Sequence, residues 1–165
     1  MIAYEGVRTS SGARVYRVDG NMRAPLRHRI VYHSPTGFEW GYAGSGPADL
    51  ALNILADVAG WNGTWEGPSP VDTGRCTCGA PIWRSEDGAW VHDTDDEESI
   101  YNHEPTLGTG RMLPKWVFGL HQQFKFDVIA DAERQGFRLE EDEILSWLAL
   151  HGLAVSLDEG GAPVA

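Results

Sequence analysis

The chain opens on two short runs in which apolar and polar residues are mixed. Residues 2–8 and 14–18 read as two strands, and Thr9-Ser-Ser-Gly-Ala13 between them has the chemistry of a turn, so they predict a β-hairpin. Asp19-Gly20-Asn21 closes the second strand. From Leu26 to Tyr32, Leu26, His28, Ile30 and Tyr32 alternate with Arg27, Arg29 and Val31, which predicts a third strand. Ser34-Pro-Thr-Gly37 is a turn, and Phe38 to Tyr42 reads as a short aromatic strand.

The period then changes. Leu50, Ile54, Leu55 and Val58 form one apolar stripe at helical spacing, with Gly60 as the stop. Pro47 suits the first helical position, Ser45 or Gly46 the N-cap, and Asp49 the positive first turn. After Pro114 a second helix is predicted to about Gln135, with Val117, Leu120, His121, Phe124, Val128 and Ala132 on one face and Gly136 as its stop. A third starts within Leu139–Glu143, buries Ile144, Trp147, Leu148 and His151, and ends at Gly152. Residues 61–74 are turn-rich linker.

The expectation is an α+β fold: a small N-terminal antiparallel sheet packed against about three helices, with a zinc-knuckle-like segment inserted. Residues 1–156 form the single domain, residues 75–104 are the insertion, and 157–165 are a disordered tail. No internal repeat is visible.

Charge changes this picture. The 165 residues carry 13 Lys+Arg and 24 Asp+Glu, a formal net charge of −11. Residues 1–33 hold six Arg and two acids, net +4, while residues 34–165 are net −15. An acidic chain is a poor general binder of nucleic acid, because phosphate affinity needs clustered Lys and Arg. The six Arg leave an RNA- or nucleotide-facing sheet as the one such option; the alternative is a sheet face whose cations pair with acids elsewhere. No apolar run reaches the ~18 residues of a membrane span. With no basic-then-apolar leader at Met1, the expected location is cytoplasmic.

The block Phe38-Glu39-Trp40-Gly41-Tyr42-Ala43-Gly44-Ser45-Gly46-Pro47-Ala48-Asp49-Leu50-Ala51-Leu52 follows His33-Ser34-Pro35. Together they resemble a family of small uncharacterised proteins, a domain of unknown function from bacteria, archaea and their phages and plasmids. Phe124-Lys125 and Glu140 to Leu148 match its closing helices. Ala43 stands where the family has Gly, and the Cys-containing segment is an insertion into the family framework. The resemblance implies an α+β domain and a mobile-element setting, and it implies no activity.

Two motifs carry candidate chemistry. The Gly41–Pro47 loop opens onto a helix N-terminus, where free N–H groups and the helix dipole attract anions. Gly44, Ser45 and Gly46, with Arg27 or Arg29, are the candidate phosphate or nucleotide contacts. The spacing matches neither a P-loop nor G-x-G-x-x-G, and Ser45 is not in a nucleophile elbow. The other reading is a tight connection in which glycine permits positive φ and close packing. Second, Cys76-Thr-Cys78-Gly79 precedes His92 and His103, a set of four soft ligands suited to a structural Zn²⁺. C-x-C is tighter than the usual C-x-x-C, and inert thiols are the alternative.

The run Asp93–Glu98 lacks EF-hand spacing and reads as a solvated acidic loop. His28, His33 and His121 are too scattered along the chain to predict a triad with a Ser or Cys. The expected function is a non-enzymatic accessory protein, of phage or mobile-element type, that binds a basic protein partner and inhibits a host defence or nucleic-acid-handling complex. The alternative is a phosphate- or nucleotide-ligand-binding protein. The sequence does not indicate an oligomeric state.

Overall fold

The computed structural model of the chain describes residues 1–61, 63, 65–66, 73–76, 81–92, 104, 113–153, 156–157 and 163–164. Three strands form the amino-terminal meander: β1 (Ile2–Thr9), β2 (Gly12–Asp19) and β3 (Met22–Pro25). β1 and β2 pair in antiparallel register from Ile2↔Asp19 to Thr9↔Gly12, so the predicted hairpin forms with a two-residue turn. β3 is an added strand, paired with β2 from Tyr16↔Pro25 to Asp19↔Met22.

The predicted strand Leu26–Tyr32 shrinks to β4 (Ile30–Val31), and Phe38–Tyr42 is not a strand. Both segments send their polar backbone groups to side chains or to other loops. Gly41 N–H donates to Ile129 O at 3.0 Å, and the Trp40 carbonyl accepts from the Arg8 guanidinium at 3.4 Å, while the Trp40 indole N–H anchors the segment on Glu133 O at 3.0 Å. A segment whose hydrogen bonds are met this way needs no neighbouring strand.

α1 (Ser45–Val58) starts earlier than expected, with Gly44 as N-cap and no side-chain cap. Pro47 therefore sits third in the helix, still within the first turn, where its missing N–H costs no internal bond. Asp49 lies in the second turn. α1 is buried on nearly every side, with only Ser45 and Asp57 outside its buried set, which makes it the central helix of the core. Next come β5 (Trp65–Glu66), parallel to β4, and a three-stranded sheet of β6 (Thr73–Arg75), β7 (Pro81–Arg84) and β8 (Trp90–His92).

α2 (Lys115–Phe124) runs into a π-helical turn, Lys125–Ile129, and the helical path ends there rather than at Gln135. Gly136 does not stop a helix. It begins β9 (Gly136–Glu140), which pairs antiparallel with β1 and completes a four-stranded sheet of order β3-β2-β1-β9. Phe137 and Leu139 face the core while Arg138 and Glu140 turn outward, a short period-2 pattern.

α3 (Glu141–Leu150) follows at once. Its start is a capping box: the Glu140 carboxylate accepts from the Glu143 N–H, and Glu143 Oε2 accepts from the Glu140 N–H at 2.8 Å. His151, expected to be buried, is exposed and stacks on Trp147. β10 (Ser156–Leu157) pairs with β11 (Pro163–Val164) across the start of the expected tail, 157–165, of which 158–162 and 165 lie outside the described residues.

The architecture is α+β. One core joins Tyr4 and Val15 of the sheet to Leu50, Ile54 and Leu55 of α1, Phe124 of α2 and Ile144 and Leu148 of α3. Trp61 is also buried there, so it covers α1 and is not a surface patch. No helix among the described residues is long and apolar enough to cross a membrane.

Candidate functional site

The densest polar arrangement lies where α1 meets the 28–34 segment. Asp49 is fully buried. Its carboxylate accepts the backbone N–H groups of His33 (2.8 Å), Ser34 (3.0 Å) and, at longer range, Tyr32 (3.3 Å), and it bonds the His28 ring Nε2 at 2.8 Å. Burial alone would raise the Asp49 pKa. The hydrogen bonds from His28, His33 and Ser34 outweigh that and hold it below the ordinary carboxylate value, so Asp49 is an anion.

One turn later on the same face of α1, Asn53 is spent in the same way. Its amide oxygen accepts from Arg29 and Ile30 N–H (2.8 and 3.0 Å), and its amide nitrogen donates to Ile30 O and Asp49 O (2.9 and 2.8 Å). These two side chains do for residues 29–34 what a neighbouring strand does in a sheet.

This tether brings His33 against α2. His33 Nε2 and His121 Nε2 stand 2.8 Å apart, although 88 residues separate them. The Gln122 amide is 3.3 Å from the first and 3.2 Å from the second. His121 Nδ1 donates to the Phe118 carbonyl, so its Nε2 carries a bare lone pair that accepts the His33 Nε2–H. Burial pushes both imidazoles below their ordinary pKa, so both are neutral at pH 7. Sequence reasoning judged these histidines too far apart to act together. What joins them is Asp49 and the docking of α2, neither of which a local pattern carries. No Ser or Cys bonds to either ring among the hydrogen bonds described.

The glycine block is explained by close approach. Gly41 has φ +81°, and a Cβ there would lie 2.8 Å from Arg134 Cγ. A Cβ on Gly44 would strike the Tyr42 ring, and one on Gly46 would lie 2.8 Å from Glu39 Cβ. Ala43 is exposed and has no positive φ, so glycine is not required there.

The candidate ligand residues are split between two hollows on either side of Pro25 and Leu26. Ser45 and Gly46 line a cavity of about 460 Å³ with Arg14, Ser34, Thr36 and Glu39. Arg27 and Arg29 line a separate one of about 360 Å³ with Arg17 and Asp57. Gly44 lines neither. Arg14, not Arg27 or Arg29, is therefore the Arg that lines the larger cavity with Ser45 and Gly46.

Three of the six amino-terminal Arg pair with acids of the fold. Arg8 pairs with Glu39 at 2.9 Å, Arg17 with Asp57 at 2.8 Å, and Arg23 with Glu5 at 3.0 Å. Arg138 pairs with both Glu5 and Glu140. Cys76 and His92 are buried at the small β6–β8 sheet, His92 opposite Ile82. Cys78, His103 and the acidic run 93–98 lie outside the described residues. Among the described residues, no three His, Cys, Asp or Glu side chains gather to hold a metal.

No curated protein and no solved structure matches the chain. Residues 4–65, which hold the meander, the glycine block and α1, match the Family of unknown function (DUF6166), so over that stretch the chain is similar to an uncharacterised domain family.

Proposed function

We propose that the chain is a non-enzymatic binding protein whose partner is a basic protein, docked on the acidic stretch from Asp127 to Glu143. The observation that supports this reading is the local imbalance of charge. Seven acids (Asp127, Asp131, Glu133, Glu140, Glu141, Asp142, Glu143) stand against two Arg, and one of those, Arg138, is already taken by Glu5 and Glu140. Asp127, Asp131, Glu133, Asp142 and Glu143 are exposed. Phe126 is 57% exposed next to them, an apolar anchor beside the charge. In the phage or mobile-element setting that the Phe38–Leu52 block implies, such a partner is a host defence or nucleic-acid-handling protein.

Capture from a lysate at graded salt tests the reading, with the Asp131→Asn/Glu133→Gln/Asp142→Asn variant alongside. A partner that is lost as salt rises, and lost with the variant at low salt, is the expected result. Capture indifferent to both, or none at low salt, rejects it.

A second reading, a phosphate- or nucleotide-ligand protein, is favoured by one observation: the 460 Å³ cavity falls within the size range of ligand sites and joins the α1 N-terminus to Arg14 and to the hydroxyls of Ser11, Ser34, Thr36 and Tyr42. A thermal-shift panel of inorganic phosphate and nucleotides tests it. A ligand at 100 times its Kd stabilises by ~2.7 kcal/mol, and Arg14→Gln should abolish the shift. A flat panel removes this reading.

A further inference from the structure

We propose that His33, His121 and Gln122 form a binding site for a divalent transition-metal ion of the imidazole-preferring kind, such as cobalt, nickel or zinc, held by the two Nε2 atoms and the Gln122 amide oxygen. The three groups form a nearly equilateral triangle with edges of 2.8, 3.2 and 3.3 Å. An ion about 2.1 Å from two nitrogens sets them about 3.0 Å apart at a right angle and about 3.4 Å apart at the tetrahedral angle. The triangle already has the size of one face of a coordination shell.

The amide atom facing the pair is assigned as nitrogen, but a half-turn of the amide exchanges nitrogen for oxygen at almost no cost in shape. That turn puts a ligating oxygen where Nε2 stands.

The outer groups favour ligation. The Phe118 carbonyl takes the His121 Nδ1–H and so aims a bare Nε2 at the site, the usual arrangement behind a metal-bound imidazole. Asp49 pins the His33 backbone N–H at 2.8 Å and fixes where that ring can go. Tyr32 packs edge-on against His33 and Phe118 tilts against His121, which restricts both rings further. On binding, the His33 ring proton moves from Nε2 to Nδ1, so both rings stay neutral and the two lone pairs point at the ion. Asp49 contributes a negative field at both rings and Lys125 an opposing one, its ammonium held over the Phe126 ring at 4.1 Å.

His121 is buried while His33 and Gln122 are half-exposed, so the triangle has one side toward solvent. Two imidazoles and one amide leave coordination positions for water, which makes this an open site. It is distinct in chemistry from the Cys76/Cys78/His92/His103 set, because it contains no thiolate.

Cobalt(II) chloride titration of the full chain, stripped of metal, separates the two. A Cys76→Ser/Cys78→Ser chain removes both thiolates. The expected result is that this chain takes up one cobalt with visible ligand-field bands and no thiolate charge-transfer band. His33→Asn and His121→Asn should each weaken that binding at least tenfold. Because His121→Asn removes a buried group, a second measurement leaves the histidines intact: cobalt should broaden the ring NMR signals of His33 and His121 in the unaltered protein. No uptake by the Cys76→Ser/Cys78→Ser chain, or uptake that leaves both rings sharp, overturns the proposal and reduces the pair to a hydrogen bond between two neutral imidazoles.

Discussion

Asp49 is the residue on which the 28–34 segment depends. A buried carboxylate that accepts the His33 and Ser34 backbone N–H groups and a bond from His28 cannot lose its charge without leaving those donors poorly matched. Asp49→Asn keeps the shape and removes the charge, and it should cost about 2–3 kcal/mol in urea unfolding, the range for hydrogen bonds to a charged group. The pH dependence has a definite sign. The folded pKa lies below the ordinary 3.8, so the stabilisation is complete above that value and is lost as pH falls through the lower, folded one. Acid unfolding should therefore steepen below about pH 4 in the native chain, and the Asn variant should lack that component. A variant with the same acid limb as the native protein would remove Asp49 from this role. The glycines make a second contrast at this scale. Gly41→Ala places a Cβ at φ +81° against Arg134 and should cost about 1–2 kcal/mol, whereas Ala43→Gly, at an exposed position, should cost only a few tenths in the same assay.

Among the elements, β9 decides whether the sheet closes over the helices. Gly6 lies under the Phe137 ring, and Gly136 brings its own backbone close to Gly6 O, so β1 and β9 meet where neither glycine has room for a side chain. Phe137 then meets Trp40 edge-on at 5.2 Å. Phe137→Ala removes both contacts and should cost about 2–3 kcal/mol, below the ~3–5 kcal/mol of a fully buried Phe because the ring is only half-buried. Hydrogen exchange should show β9 and α3 loosening before α1, and uniform loss of protection would contradict this. This strand was in the sequence as the Phe137/Leu139 alternation against Arg138/Glu140. It was masked because the apolar face before it, through Val128 and Ala132, continues at helical spacing into a glycine that also suits a helix stop. The amino-terminal hairpin and α1 were legible because local turn chemistry and one apolar stripe specify them. Leu26–Tyr32 was misread for the opposite reason: its strand pattern is real, but Asp49 and Asn53 take its backbone groups from 17 to 24 residues away. The His33–His121 meeting was illegible for the same reason at longer range, since nothing local to either histidine marks the other.

For the molecule as a whole, the placement of charge matters more than its sum. The Arg-rich start first suggested a basic head, yet Arg8, Arg17 and Arg23 face acids of the same fold, and Arg23 also stacks on Tyr16. Each exposed pair contributes only about 0–1 kcal/mol, so the pairs hold the head together weakly while offsetting part of its field. A nucleic-acid surface there would need those cations unmatched. Among the described residues, the β6–β8 sheet contributes nothing to the shared core; it has three strands of three or four residues, with Cys76, Ile82 and His92 buried at it. A sheet that short is marginal on apolar burial alone. The proposed zinc set would supply what burial does not, because ligand binding that exists only in the folded form adds directly to its stability. Cys76→Ser should then raise amide exchange across residues 73–76 and 81–92 by at least tenfold while α1 stays protected. Metal analysis of the native chain should show zinc that this variant has lost. Equal exchange in both chains would mean that the thiol is a packing group and that the small sheet stands on its own hydrogen bonds.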